Sequence, residues 1–225
     1  MHTDISPALE IKDGALIIPK GKAFDEPVNL ELKEDKLKVK AESESSAHIV
    51  CNIKSNECTI EIEVEDNAHI RLKIISSRKT ANHSVVSHIS GDNSESNIDW
   101  IFHAKDSAKY NLSAKNIFDS KNSSGNIRVR GISEDSSYAK FDGMIEVTEK
   151  GSGTQAYLSL DSLMLDPTAK IDAVPALEIR NDNVRAGHSA SVTNINKEDL
   201  FYFAARGVDE EEARKTIVEG FLDEL

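Results

Sequence analysis

The sequence predicts a mainly β fold that ends in helices, and three observations carry that prediction. Short runs with apolar residues at every second position recur over residues 28–192, which is the period of a half-buried strand. Spacers rich in Ser, Asn, Asp and Gly separate the runs, as at residues 90–96 and 119–125, and these residue types favour turns. Beyond Val192 the apolar spacing becomes helical.

Taken in order, the strands are marked by Leu30 and Leu32, Leu37 and Val39, Ile49 and Cys51, Ile60 and Ile62, and Ile70 and Leu72. The series continues with Ile98 and Trp100, Tyr110 and Leu112, Ile127 and Val129, Ile145 and Val147, and Ile171 and Ala173. Several strands enter through a small residue, then a polar one, then the first apolar one: Ala47, Ala68, Ala108 and Ala169 each stand two before Ile49, Ile70, Tyr110 and Ile171. Such a repeat slightly favours a solenoid whose tight corners need a small side chain. A Greek-key sandwich would give similar strands, so both architectures stay open on pattern alone.

Two helices follow. Asn196 is placed to cap the first with Asp199 three residues on, and Gly207 supplies its stop. Asp209 and Glu212 form a second start resembling a capping box. Ala213, Ile217, Val218, Phe221, Leu222 and Leu225 then share one helical face. The expectation is a helical hairpin whose apolar stripe packs partly on its own chain.

Composition narrows the function classes. A chain of 225 residues, 39% hydrophobic and 29% charged, can bury an ordinary core. A net charge of −12 repels nucleic-acid phosphates, and 5% aromatics leaves few stacking platforms. Residues 197–225 hold four basic and nine acidic side chains, a candidate docking surface for a basic partner as well as an ordinary solvated face. The first residues lack a basic start and an apolar run, so no signal peptide is expected. No apolar stretch reaches the ~20 residues that cross a bilayer. The expected setting is the cytoplasm, with Cys51 and Cys58 reduced, since two cysteines seven apart make neither a disulfide framework nor a zinc site.

Enzyme signatures are missing. Gly151 and Gly153 flank Ser152, but the full nucleophile elbow is lacking and the segment reads as a turn. No Gly-rich phosphate-binding loop with Lys-Ser/Thr occurs, so the sequence shows no nucleotide motif of its own. Asp161, Asp166 and Asp172 are irregularly spaced and read as turn carboxylates rather than as a catalytic pair. His83 and His88, five apart, should face opposite sides of a strand. With His103, they read as surface or internally satisfied histidines.

An ordered set of residues resembles the SufB/SufD family, the scaffold subunits of Suf iron–sulfur cluster assembly. It comprises Gly131, Phe141 and Gly143 to Val147, Leu163 and Leu165, Ala169, Pro175 to Ile179, Val184 and His188 to Val192. Leu200 to Tyr202, Arg206 and Gly207, Glu212 and Ala213, and Gly220 and Phe221 complete it. Weaker similarity reaches back to Asp13 to Pro19 and to Pro27 and Val28. The resemblance implies a right-handed β-helix over residues 1–192 and a partner-docking helical region over residues 193–225. It also implies a compact form without the N-terminal helical region of many long members.

Further implications follow from the resemblance alone. The subunit would be a non-catalytic scaffold that pairs with a copy of itself or with a SufB/SufD relative. It would dock a SufC-type ABC ATPase through Phe201, Tyr202, Arg206, Gly207, Val218, Phe221 and Leu222. His188 would be the metal-associated residue, since neutral imidazole can ligate iron. Ala186 stands where SufD-like members often have a cysteine, and Ser189 where SufB-like members often have a glutamate. Iron–sulfur clusters are usually held by thiolates. No tightly bound cofactor is therefore expected, only a transient cluster shared with a partner subunit in a SufD-like role. The alternatives are a carbohydrate-active β-helix enzyme and a purely structural solenoid adaptor.

Overall fold

The computed structural model describes residues 10–12 and 15–222. Asp13, Gly14, Leu225 and the N-terminal segment up to Pro7, all used in the sequence reading, lie outside the described residues. The strands are β1 (Glu10–Lys12), β2 (Ala15–Ile18), β3 (Ala23–Leu32), β4 (Lys36–Ala41), β5 (Ser46–Ile53), β6 (Glu57–Val64), β7 (His69–Ser76) and β8 (Thr80–Ile89). They continue as β9 (Glu95–Ala104), β10 (Lys109–Phe118), β11 (Ser124–Ser133), β12 (Tyr138–Val147), β13 (Gln155–Met164), β14 (Lys170–Ile179) and β15 (Arg185–Asn194). Two helices follow, α1 (Lys197–Ala204) and α2 (Glu210–Leu222).

Odd-numbered strands from β3 to β15 form one parallel sheet of seven, and the even-numbered strands form the other. β1 joins the even sheet by pairing antiparallel with β2. From β2 onward each strand pairs with the next but one in sequence, and the chain winds as a two-sheet solenoid. Parallel pairing among β2 to β15 removes the Greek-key alternative, whose strands would be antiparallel. Crossovers between parallel strands of one sheet are the kind that is right-handed almost without exception.

Stacking in register turns sequence alternation into columns of like residues. Val28, Ile49, Leu72, Ile98, Ile127 and Leu158 form one buried column in the odd sheet. Leu30, Cys51, Ile74, Trp100, Val129 and Leu160 form the next. The rung grows along the chain, from 23 residues at Ser46↔His69 to 29 at Lys109↔Tyr138. The wider rungs accommodate the aromatic residues: Trp100 meets Phe141 edge-on at 5.3 Å, and Phe102 meets Tyr110 at 6.0 Å.

The corners show why small and left-handed residues recur. Along one edge Gly21, Glu44, Asn67, Asn93, Asn122 and Gly153 take positive φ. Each donates its N–H to a carbonyl one rung ahead, as Asn67 does to Asp92 and Asn122 to Ser152. Asn and Asp tolerate that conformation better than other residues with a Cβ. At seven strand starts the preceding residue is small and buried, and it is either alanine or serine. Ser45, Ala68, Ser94 and Ser123 hold one edge, and Ala108, Ser137 and Ala169 the other. The alanine pattern thus identifies three true corners, whereas Ala47 is a core-facing residue inside β5.

Ser76 joins two interior side chains. Trp100 Nε1 donates to Ser76 Oγ at 3.0 Å, and Ser76 Oγ lies 3.0 Å from His83 Nδ1. His83 Nε2 lies 3.1 Å from the Ser55 carbonyl, which only accepts. So Nε2 carries the proton, Nδ1 accepts from the serine, and the buried imidazole is neutral and satisfied.

The helices flank the solenoid rather than cover its end. Ile132 and Leu163 lie on the outer face of the odd sheet, and with Leu165 they receive Ile217, Val218, Phe221 and Leu222. Arg130 holds α2 from below: Nη1 donates to the Phe221 carbonyl at 3.1 Å and the guanidinium sits 4.9 Å from the phenyl centroid. Arg214 Nη1 donates to the Leu165 carbonyl at 2.8 Å. Both helix starts are capped as their sequences imply, Asn196 accepting from the Asp199 N–H and Asp209 from the Glu212 N–H. Gly207, at φ +79, turns the chain between them.

Candidate functional site

The last rung forms an open end. β14 and β15 each pair on one side only, with β12 and β13. Side chains that would be core elsewhere are uncovered here: Ile179 is 42% and Val192 41% exposed. Leu177 and Ala173 are half-buried and pack against the core.

His188 belongs to this end. It stands in register with Leu158, so it occupies the terminal position of the aliphatic column that begins at Val28. It is exposed because no rung follows. A column of leucines and isoleucines that ends in imidazole places one metal-competent nitrogen donor on an otherwise apolar end. Gly187 before it lies over Tyr157, and a Cβ there would come within 3.1 Å of the ring. Ala186 shares the inward face of β15 and Ser189 the outward one.

Among the described residues, no three His, Cys, Asp or Glu side chains converge as a metal site. The two thiols are core groups. Cys51 and Cys58 are buried, and burial pushes both up to about 12, so neither is a thiolate at neutral pH. His88 faces outward and is exposed, opposite in orientation to buried His83. Burial holds His103 below the ordinary imidazole range although its Nε2 lies 3.0 Å from Glu134 Oε2. The three aspartates hold neighbouring groups rather than a groove: Asp166 accepts from the Asp135 N–H, Asp161 from Ser159 Oγ, and Asp172 from the Tyr138 hydroxyl.

The candidate docking residues divide into two groups. Phe201 is 73% and Tyr202 55% exposed on α1, with Arg206 stacked 3.4 Å over the Tyr202 ring. Val218, Phe221 and Leu222 are instead turned onto Ile132, Leu163 and Leu165. Periodicity groups all of them as helical apolar residues; it carries no information on which face meets the sheet. Arg130 anchors α2 from a strand 91 residues away, a contact for which the sequence carries no local signal.

Residues 55–221 match the family described as SUF system FeS cluster assembly, SufBD core domain. The chain belongs to the SufBD core family. An iron-sulfur cluster assembly SufBD family protein of Staphylococcus saprophyticus is 36% identical over 110 residues, which is 49% of this chain and 24% of that protein. Its counterpart in Staphylococcus haemolyticus is 34% identical over the same shares. A SufBD family protein of Mycobacterium tuberculosis is 26% identical over 151 residues, 67% of this chain and 18% of that protein. The chain thus spans about a quarter or less of the curated relatives it matches. The SufBD core match includes β14, β15 and the hairpin, so the open end and the helical flank both fall inside the family region. No described helix is long and apolar enough to cross a membrane.

Proposed function

We propose that this chain is a non-catalytic scaffold subunit of a cytoplasmic Suf-type assembly complex, with the iron–sulfur cluster as its cargo. The observation that carries the proposal is the position of His188, an exposed imidazole at the end of a buried column, on an edge strand with a free hydrogen-bonding side. Unpaired strand edges are templates for another chain. A second subunit laid on β14 and β15 would cover Ile179 and Val192 and bring its own groups beside His188. That subunit is a second copy or a SufB/SufD relative.

The donor chemistry supports sharing. Cluster ligation favours thiolate, and both cysteines of the sequence are buried and protonated. This chain offers one imidazole, so the partner subunit supplies the remaining ligands, in a SufD-like division of labour. A SufC-type ABC ATPase docks on α1 around Phe201 and Tyr202, the exposed aromatic pair. Its ATP-driven movement reaches the sheet through α2, which Arg130 and Arg214 tie to β11 and to Leu165.

The test is anaerobic co-expression with the cognate ATPase and any sister subunit, followed by iron and sulfide analysis of wild type and His188→Ala. A drop in both is expected. Equal cluster content would remove His188 from the ligand set.

A further inference from the structure

The two ends of the solenoid differ in what their edge strands present. At the last rung, Arg185 and Ile195 donate their N–H groups to the Thr154 and Met164 carbonyls on the β13 side. Backbone groups alternate sides along a strand, so Ala186, His188, Ala190, Val192 and Asn194 turn theirs to the unpaired side. That row holds no proline and no register shift. On β14, Lys170 and Arg180 donate toward β12, which turns Pro175 to the unpaired side and interrupts its row. β15 is the better template.

The first rung is closed by its own atoms. β3 ends the odd sheet, and its pairing with β5 shifts register between Phe24 and Val28, where Asp25, Glu26 and Pro27 are exposed. The Leu32 carbonyl accepts from the Lys54 N–H, so β3 turns Asn29, Glu31 and then Lys33 to the unpaired side. Pro27 brings no N–H, and its carbonyl accepts from Asn29 Nδ2 at 3.3 Å. The Lys33 N–H donates to Glu34 Oε2 at 3.2 Å. The even sheet ends in β1, which is 3 residues long. A bulge, a proline, acidic side chains and a short terminal strand are the devices that keep an edge from pairing.

We infer that the first rung is sealed against strand addition, so copies of this chain meet only last rung to last rung, through β15, and association closes at two subunits. This rests on the reading that a second subunit covers the last rung, and it explains why such an assembly stops growing. Within each sheet the strands run parallel from β2 on, so an open first rung would accept the last rung of the next copy in the same direction. That head-to-tail contact repeats without closing and builds a filament. Contact between two identical last rungs uses the same patch twice and closes about a two-fold axis.

The experiment is sedimentation velocity on the whole chain over a wide concentration range. Pro27→Thr with Asn29→Thr restores an N–H and frees a carbonyl on the first rung. Deletion of Asp25 and Glu26 removes the bulge by a second route should those substitutions fail to fold, and emission from buried Trp100 reports folding. Ala190→Pro takes one donor from the β15 row and leaves the bonds to β13 in place, since that N–H faces the other way. The expected result is a dimeric wild type, a monomeric Ala190→Pro chain, and opened variants that grow beyond two copies as concentration rises. A dimeric wild type whose folded opened variants stay dimeric would overturn the sealing, as would a wild type that itself grows beyond two. A monomeric wild type would overturn the last-rung reading and the closure at two with it.

Discussion

His188 lies in register on Leu158, one a solvent-exposed imidazole and the other a fully buried aliphatic side chain. The same inward position is thus core on one rung and surface on the next. His188→Leu should leave Tm unchanged or slightly raised, since it extends an aliphatic column, while iron and sulfide in the co-expressed complex fall. A thermal melt and a cluster assay on the same preparation separate the two effects.

His83 should make stability depend on pH in a defined direction. Burial holds its pKa below the ordinary value, so the unfolded chain binds more protons between the folded and unfolded pKa values. Stability from this group is complete above about pH 6.5 and declines as pH falls through that region. Burial shifts His48 and His103 the same way. Urea midpoints from pH 7.5 to 5.5 should therefore fall, with a shallower slope in His83→Asn.

Gly131 has no room for a side chain. A Cβ there would enter the ring of Phe102, the fully buried neighbour one rung below. Gly131→Ala should cost about 1–3 kcal/mol through overpacking. Phe102→Leu in the same chain should recover part of that loss, and chemical denaturation of the single and double variants measures the coupling.

Phe201→Asp and Phe221→Asp should give opposite results. Phe201 is exposed, so its variant keeps Tm but loses co-purification with the ATPase. Phe221 packs on the sheet and over Arg130, so its variant lowers stability by about 1–3 kcal/mol whatever the partner does. Retained ATPase binding in folded Phe201→Asp would move the docking face off α1.

Trp100 is the only tryptophan, and it is buried with its N–H on Ser76. Ser76→Ala should leave that donor and His83 Nδ1 unpaired and cost about 1–3 kcal/mol. Tryptophan emission, blue-shifted in the native chain, reports the transition.

Alternation by itself determined the β character, the core-facing residues of most strands and the orientation of His83 against His88, because strand geometry fixes which side each residue takes. Local capping chemistry likewise determined where both helices start, since Asn196 and Asp209 act within three residues. Alternation left strand direction open, and the parallel pairing that the family resemblance implies is shown by the tertiary structure: a register such as Ile127↔Leu158 joins residues a full rung apart, and one period of two serves parallel and antiparallel sheets alike. The alanine corners hinted at the rung, but serine fills the same space and hid the rest. Tertiary structure also decided that α2 lies on the flank, that Phe201 faces out while Phe221 faces in, and that Arg71 and Arg128 converge on Asp99. Those outcomes depend on surfaces made by distant rungs, which no local pattern contains.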